Sequence, residues 1–231
     1  MKKYKEKDYS RAVQLFEQLR DIYRRTDSLE NVYYHIAMSY YHLKDYSYAS
    51  LFFKDYTDNF TNNDRVIECS YMAIYCDYML IGDHDLDQSD TRNVMEAMQT
   101  FVNYYPDSEY TEKCNALIDE MRGKLQKKEY EIAIQYYKMG EFKSTVTATK
   151  TTIKLYPDIP QREELEFLAV KAQYQYAMKS IESKRIARLE EVLILFDDYR
   201  YNNDATSKHY AEALELKTNS ETEIKKLKEI L

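Results

Sequence analysis

A pattern of small and aromatic residues recurs along the chain at intervals of 36 to 37 residues. Ala12 and Phe16 lie four positions apart, and the same pair of residue types returns 37 residues later at Ala49 and Phe53. Small residues at fixed positions let two antiparallel helices approach closely, while large residues fill the space between successive helix pairs. A recurrence of this length therefore predicts a stack of helical hairpins, in which each hairpin buries its apolar face against its neighbours.

The spacing within the predicted first helices is also repeated. The segment Tyr33-x2-Ile36-Ala37-x2-Tyr40 is followed 36 residues later by Cys69-x2-Met72-Ala73-x2-Cys76, and Ile132-Ala133-x2-Tyr136 begins a later hairpin. This is the tetratricopeptide pattern, and it predicts an all-α fold: a right-handed α-solenoid of about five helical hairpins with a C-terminal capping helix. We expect residues 1–231 to form a single solenoid, with these approximate boundaries: repeats at 1–28, 29–63, 64–107, 108–158 and 159–201, and the cap at 204–231.

The composition agrees with long helices and excludes several classes of protein. The 231 residues include only three glycines and three prolines. Phosphate-binding loops, dinucleotide-binding folds and hairpin-rich β-folds need glycine for positive φ or close backbone approach, so they are excluded. Pro106 and Pro157 are expected to end second helices, whereas residues 107–140 should form one long helix or two nearly collinear ones. The net charge of -7 argues against a nucleic-acid partner.

One acidic segment, residues 80–91, has partial metal-binding character. The residues with the ligand spacing of a calcium loop are Asp85, Asp87, Ser89 and Glu96. Asp90, however, occupies the position where a calcium loop requires a turn-forming glycine. We therefore expect no metal or other cofactor, and we expect one of residues 89–91 to cap a helix that begins near Arg92.

The cysteines and histidines do not predict a catalytic site. Cys69 and Cys76 lie about 10.5 Å apart along a predicted helix, which is too far for a disulfide. They occupy the positions of Tyr33 and Tyr40 in the preceding hairpin, so we expect them to be buried and free, and Cys114 to be free. The four histidines are scattered along the sequence, and no serine or cysteine nucleophile accompanies them in the pattern of a known catalytic triad. No catalytic residue is predicted, and we do not expect an enzyme.

In the first helix of each hairpin, the residues one position away from the core positions are predicted to line a concave groove. In the second and third hairpins these groove residues are Asn31, Tyr34, Met38, Tyr41, His42, Ser70, Ile74, Asp77 and Tyr78. The equivalent residues of the fourth hairpin are Tyr130, Ile134 and Tyr137, whereas Tyr33, Tyr40 and Tyr136 are assigned to the core. Tyrosine provides a large contact area at low entropic cost, so this groove suits an extended peptide. Alternatively, Tyr34 and Tyr41 pack on an N-terminal helix that is largely missing from the sequence.

Three stretches within residues 80–160 resemble the BamD family, the tetratricopeptide lipoproteins of the bacterial outer-membrane β-barrel assembly (BAM) machinery. They are Asp87-Gln88-Ser89-Asp90 with Ala97-x3-Phe101-x3-Tyr105-Pro106-Asp107-Ser108-x-Tyr110; Lys128-Glu129-Tyr130-x-Ile132-Ala133-x-Tyr136-Tyr137-x2-Gly140; and Tyr156-Pro157-Asp158. The long loop together with the helix that begins at Lys128 is the more specific part. Arg24-Arg25-Thr26 and Thr61-Asn62-Asn63 replace the Tyr-Pro turns that the family would place after the first two repeats.

The resemblance implies a non-enzymatic scaffold at the periplasmic face of the outer membrane. In such a scaffold the N-terminal repeats bind the targeting segments of unfolded barrel proteins, and the C-terminal repeats bind the periplasmic (POTRA) domains of BamA. The candidate partner-binding residues are Tyr130, Tyr137, Tyr199 and Tyr201. Other BAM lipoproteins are further candidate partners, and the family's N-terminal lipid anchor is absent from this chain.

Two other functions are compatible with the sequence. One is a different periplasmic or cytosolic tetratricopeptide scaffold, because Met1-Lys2-Lys3 is followed by polar residues and not by the apolar stretch of a signal peptide. The other is a metal-dependent helical enzyme that would use the acidic segment 80–91. A signal peptide with a lipobox cysteine, encoded upstream of Met1, would separate the first alternative from the lipoprotein family. Elemental analysis of the purified protein would decide the second.

Overall fold

The structure is a computed structural model that describes residues 1–61, 63–81 and 89–230. These residues form eleven helices and no strand, which confirms the predicted all-α class of helical hairpins. The helices are α1 Lys2–Lys5, α2 Tyr9–Tyr23, α3 Leu29–His42, α4 Tyr46–Asn59, α5 Val66–Met79, α6 Ser89–Tyr104, α7 Thr111–Lys138, α8 Phe142–Leu155, α9 Arg162–Met178, α10 Glu182–Asn202 and α11 Tyr210–Ile230.

The chain divides into two compact units. Unit 1 comprises Met1–Gly123 and unit 2 comprises Lys124–Leu231, so the boundary falls within α7. In unit 1 each of the helices α2 to α5 packs on the next one along the chain, and the same is true of α8 to α10 in unit 2. Consecutive helices are thus neighbours in space within each unit, as a stack of hairpins requires.

The core of unit 1 contains the small and aromatic residues of the recurring pattern. Ala37, Ala49 and Phe53 are fully buried. Cys69 and Cys76 are also fully buried and free, which confirms their assignment to the core. Small and large side chains therefore alternate where the helices make contact, as the spacing predicted.

Of the three tyrosines predicted in the core, two pack against its edge and one is exposed. Tyr33 and Tyr40 are only half-buried, and Tyr136 is 38% exposed. Ala133 precedes Tyr136 by three residues and is fully buried. Since three residues of a helix turn its surface by about 300°, Tyr136 stands about 60° away from the buried alanine, at the edge of the contact.

A left-handed turn recurs between the first and second helices of a hairpin. Lys7, Lys44 and Gly140 have φ values of 61°, 60° and 79°, and each precedes an acidic residue at the start of the next helix. At the first two turns the acidic residue caps the helix, because Asp8 accepts a hydrogen bond from the Arg11 amide at 3.3 Å and Asp45 does the same for the next hairpin. The turn therefore combines a left-handed residue with a helix cap.

The helix ends agree with most of the sequence expectations. The second helices α6 and α8 stop at Tyr104 and Leu155, shortly before Pro106 and Pro157, and α7 is one helix of 28 residues. One prediction is wrong: α6 begins at Ser89, not near Arg92, so residues 89–91 form its first turn and do not cap it. Thr91 in this first turn is fully buried.

Candidate functional site

Tyr34 lies half-buried between α3 and α5. Its hydroxyl donates a hydrogen bond to Glu68 Oε1 at 2.9 Å, and the guanidinium of Arg65 lies 4.7 Å from the centre of its ring. Arg65 in turn donates to the side-chain oxygen of Asn31 at 2.8 Å. Burial, followed by the hydrogen bond to Glu68, raises the pKa of Tyr34. Tyr34 therefore packs on the following hairpin through Glu68 and Arg65.

A series of tyrosine rings continues along α3 and α5 and includes Tyr46 at the start of α4. The Tyr41 ring lies 5.9 Å from Tyr46 and 6.3 Å from Tyr75, and the Tyr75 ring stacks on Tyr78 at 6.0 Å. All four side chains are half-buried, so each keeps part of its ring on the surface. We call Tyr41, Tyr46, Tyr75 and Tyr78 the aromatic row. It offers a continuous aromatic surface of the kind that binds extended peptides.

The far end of the aromatic row is held by a carboxylate. Tyr78 donates a hydrogen bond to Glu120 Oε1 at 2.8 Å. Burial and this hydrogen bond raise the pKa of Tyr78 to about 12. The hydrogen bond to Glu120 fixes the orientation of the Tyr78 side chain.

Tyr75 is the member of the row that the sequence analysis missed. It lies four residues after Tyr71 and three before Tyr78, so helical periodicity places the three on one face of α5. The repeat frame of 36 residues identifies equivalent positions, but the contacts between first helices join residues 34 apart, as in Tyr34 with Glu68 and Tyr41 with Tyr75. A search at a separation of 34 residues would have found it.

Other predicted groove residues face different neighbours. Met38 is half-buried against the core of unit 1, and His42 is exposed and stacks on Tyr9 of α2 at 4.4 Å. Burial, followed by the positive charge of Lys7, lowers the pKa of His42. Asp77 turns toward α4, where its carboxylate accepts hydrogen bonds from Ser50 Oγ at 2.5 Å and Lys54 Nζ at 2.8 Å. The predicted set is therefore not one continuous surface.

Ser70 and Ile74 line a separate hollow between α5 and α6. Its volume is about 480 Å³, and its other wall includes Ala97, Phe101 and the exposed ring of Tyr104. A hollow of this size can accept an apolar side chain. Both residues remain candidates for binding, but in surroundings different from those of the aromatic row.

The predicted residues of unit 2 have contrasting surroundings. Tyr130 is half-buried, and burial together with its hydrogen bond to Glu164 raises its pKa to about 12. Tyr137 packs edge-on against Phe142 at 5.5 Å. Tyr199 is fully buried and donates to Glu163 Oε1 at 2.9 Å, so it has no surface to offer a partner, and its assignment is corrected. Tyr201 is 91% exposed.

One known protein family matches most of the chain. A family model described as YfiO, outer membrane lipoprotein, matches residues 1–189. The chain belongs to this family. The resemblance to BamD is therefore confirmed at the level of the family of outer-membrane lipoproteins. No curated protein matches the chain.

Two further observations concern this YfiO-family chain. Among the residues that the structure describes, no three His, Cys, Asp or Glu side chains are grouped so that they could hold a metal ion. Asp85, Asp87 and His84 lie outside the described residues, and so do the predictions for the calcium-like loop. Within the described ranges, none of the helices has the length and apolar character needed to cross a membrane.

Proposed function

We propose that this outer-membrane lipoprotein is a BamD-type, non-enzymatic scaffold of the machinery that assembles outer-membrane β-barrels. Unit 1 binds the targeting segments of unfolded barrel proteins, and unit 2 binds the periplasmic POTRA domains of BamA. Other lipoproteins of the same complex are further partners. A lipid anchor on the full-length protein holds the scaffold at the periplasmic face of the outer membrane.

The observation that carries this proposal is the aromatic row. A targeting segment is an extended chain with alternating apolar residues and a terminal aromatic residue, so its apolar side chains need a surface of matching length. The half-buried rings of Tyr41, Tyr75 and Tyr78 provide one across two successive hairpins. Because a flexible peptide loses entropy on binding, we expect a weak affinity, on the order of micromolar.

A crosslinking experiment tests the role of the aromatic row. Tyr41→Ala combined with Tyr75→Ala should reduce photocrosslinking to a peptide of this pattern, because both rings leave the middle of the row. Tyr48→Ala is the matched control, since Tyr48 is 53% exposed on α4 and outside the row. The two variants should keep the helical content of the wild type. Equal crosslinking by the double variant and the control would contradict the assignment.

Association with BamA is the second readout. The double variant should still bind BamA, whereas Tyr201→Ala should weaken BamA binding and leave peptide crosslinking unchanged. Tyr34 is less suitable for this test, because its loss would also break the hydrogen bond to Glu68 and the contact with Arg65. A double variant that melts early and loses both partners equally would show that the row is structural.

A further inference from the structure

Helix α8 carries a positively charged face. It contains Lys143, Lys150 and Lys154 and has no aspartate or glutamate. The three lysines are separated by seven and four residues, so they fall within about 40° of one another around the helix and extend over about 16 Å along it. All three are exposed, and among the residues with described side chains none of them forms an ion pair. Such a face is unusual in a chain whose net charge is -7.

This face adjoins a cleft between α8, α9 and α10. The cleft has a volume of about 320 Å³, and both Lys150 and Lys154 line it. Its floor is apolar, with Ile153 on α8, Ala169 on α9 and Leu195 on α10. A hollow of this size can bury one large apolar side chain.

The acidic groups of the cleft do not neutralise the lysines. Glu166 accepts hydrogen bonds from Arg162 Nε at 2.9 Å, Asn202 Nδ2 at 2.9 Å and Asn203 Nδ2 at 2.7 Å. Its carboxylate is therefore already bound by these three side chains and not by the lysines of α8. Asp198 lies on α10, the wall opposite α8. The α8 side therefore keeps an excess of positive charge beside an apolar floor.

We propose that this cleft binds a segment of a partner protein that inserts one apolar side chain between Ile153 and Leu195 and sets acidic residues against the lysines of α8. The lysines of α8 favour acidic residues in the partner by charge complementarity, and the apolar floor favours an apolar side chain as its anchor. The floor also distinguishes a protein from an anionic membrane, since a layer of lipid headgroups would use the lysines alone. The inference rests on the proposed function in one respect, the assignment of unit 2 to a protein partner.

Three labelled peptides test the inference by fluorescence anisotropy with the whole chain. The first has glutamates on both sides of a central phenylalanine, the second has glutamines in place of the glutamates, and the third has serine in place of the phenylalanine. The first should bind about tenfold more tightly than either of the others, because only it uses both the lysines and the floor. Equal binding of all three peptides would overturn the proposal.

Charge reversal provides the matched controls. Lys150→Glu with Lys154→Glu should remove the preference for the first peptide, whereas Lys225→Glu with Lys226→Glu, at exposed positions of α11, changes the net charge equally and should preserve it. Phosphatidylglycerol vesicles form the competing test. Vesicle binding that depends on Lys150 and Lys154, without a preference among peptides, would assign the face to lipid and overturn the proposal.

BamA association, measured separately, distinguishes this inference from the proposed function. If the peptides fail to discriminate while Tyr201→Ala still weakens BamA binding, only the chemistry assigned to the cleft is wrong. If BamA does not bind the wild-type chain at all, the proposed function is wrong.

Discussion

The three cysteines of unit 1 should make its stability sensitive to alkaline pH. Cys69, Cys76 and Cys114 are fully buried, and burial is the main cause that raises the pKa of their thiols to about 12, 12 and 11. In the unfolded chain a thiol ionises near pH 9, so the unfolded state loses protons at a pH where the folded state keeps them. The free energy of unfolding therefore falls as the pH rises above about 9, and below that pH the thiols have no effect.

The size of the effect depends only on the folded thiols staying protonated up to pH 10. Each thiol then lowers the free energy of unfolding by about 1.4 kcal/mol between pH 8 and pH 10, and three together by about 4 kcal/mol. A domain is typically stable by about 5 to 15 kcal/mol, so this loss is large. With a urea dependence of about 1 to 3 kcal/mol per molar, the unfolding midpoint should fall by more than about 1 M.

Urea titrations followed by ellipticity at 222 nm, with a reductant present, measure this loss. The control is the triple variant Cys69→Ala, Cys76→Ala and Cys114→Ala, which retains the alkaline titration of the tyrosines but has no thiols. The wild type should lose about 4 kcal/mol more than the variant between pH 8 and pH 10. If the two proteins show the same pH dependence, the thiols are not protected and the assignment of these residues to the core is wrong.

Two other predictions test the packing and the turns. Ala49→Trp and Ala37→Trp should each cost about 3 kcal/mol or more in urea unfolding, because both alanines are fully buried, whereas Leu51→Trp on the exposed side of α4 should cost little; wild-type stability of either alanine variant would refute the helix register. Gly140→Ala should cost about 1 kcal/mol because its φ is 79°, whereas Lys44→Gly should relieve the same strain at φ 60° and leave the protein at least as stable; an equal loss in both would contradict the left-handed turns.

The hairpins could be predicted because their determinants are local. Ala37 and Ala49 lie where α3 contacts α4, and close contact there requires small residues. Hairpins with the same contact therefore carry small residues at equivalent positions in the sequence. Cys69 and Cys76 were placed in the core by the same argument, since they hold the positions of aromatic residues in the preceding hairpin. Both assignments use only the sequence pattern of one hairpin and that of the adjacent hairpin.

The surroundings of the site residues could not be predicted in this way, because they depend on contacts distant in sequence. Tyr199 was predicted to bind a partner, but its ring lies 6.2 Å from Tyr210 of α11 and its hydroxyl donates to Glu163 of α9. Asp77 was predicted in the groove, but its carboxylate accepts hydrogen bonds from Ser50 and Lys54 of α4. Helical periodicity predicts the face of the helix on which a residue lies. It does not predict which side chain distant in sequence will bind that residue.

The two units share one contact register between first helices and differ in the residues that occupy it. Tyr34 pairs with Glu68 in unit 1 and Tyr130 pairs with Glu164 in unit 2, and the two residues of each pair are 34 positions apart.

Seven residues further along the first helices, the two units diverge. Tyr41 faces Tyr75 in unit 1, whereas the residue 34 positions after Tyr137 in unit 2 is Lys171, whose Nζ binds Glu212 at 2.7 Å. An aromatic row therefore forms in unit 1, while in unit 2 the corresponding position carries an ion pair. The same register therefore places an aromatic row in unit 1 and an ion pair in unit 2, because the residue types at the equivalent positions differ.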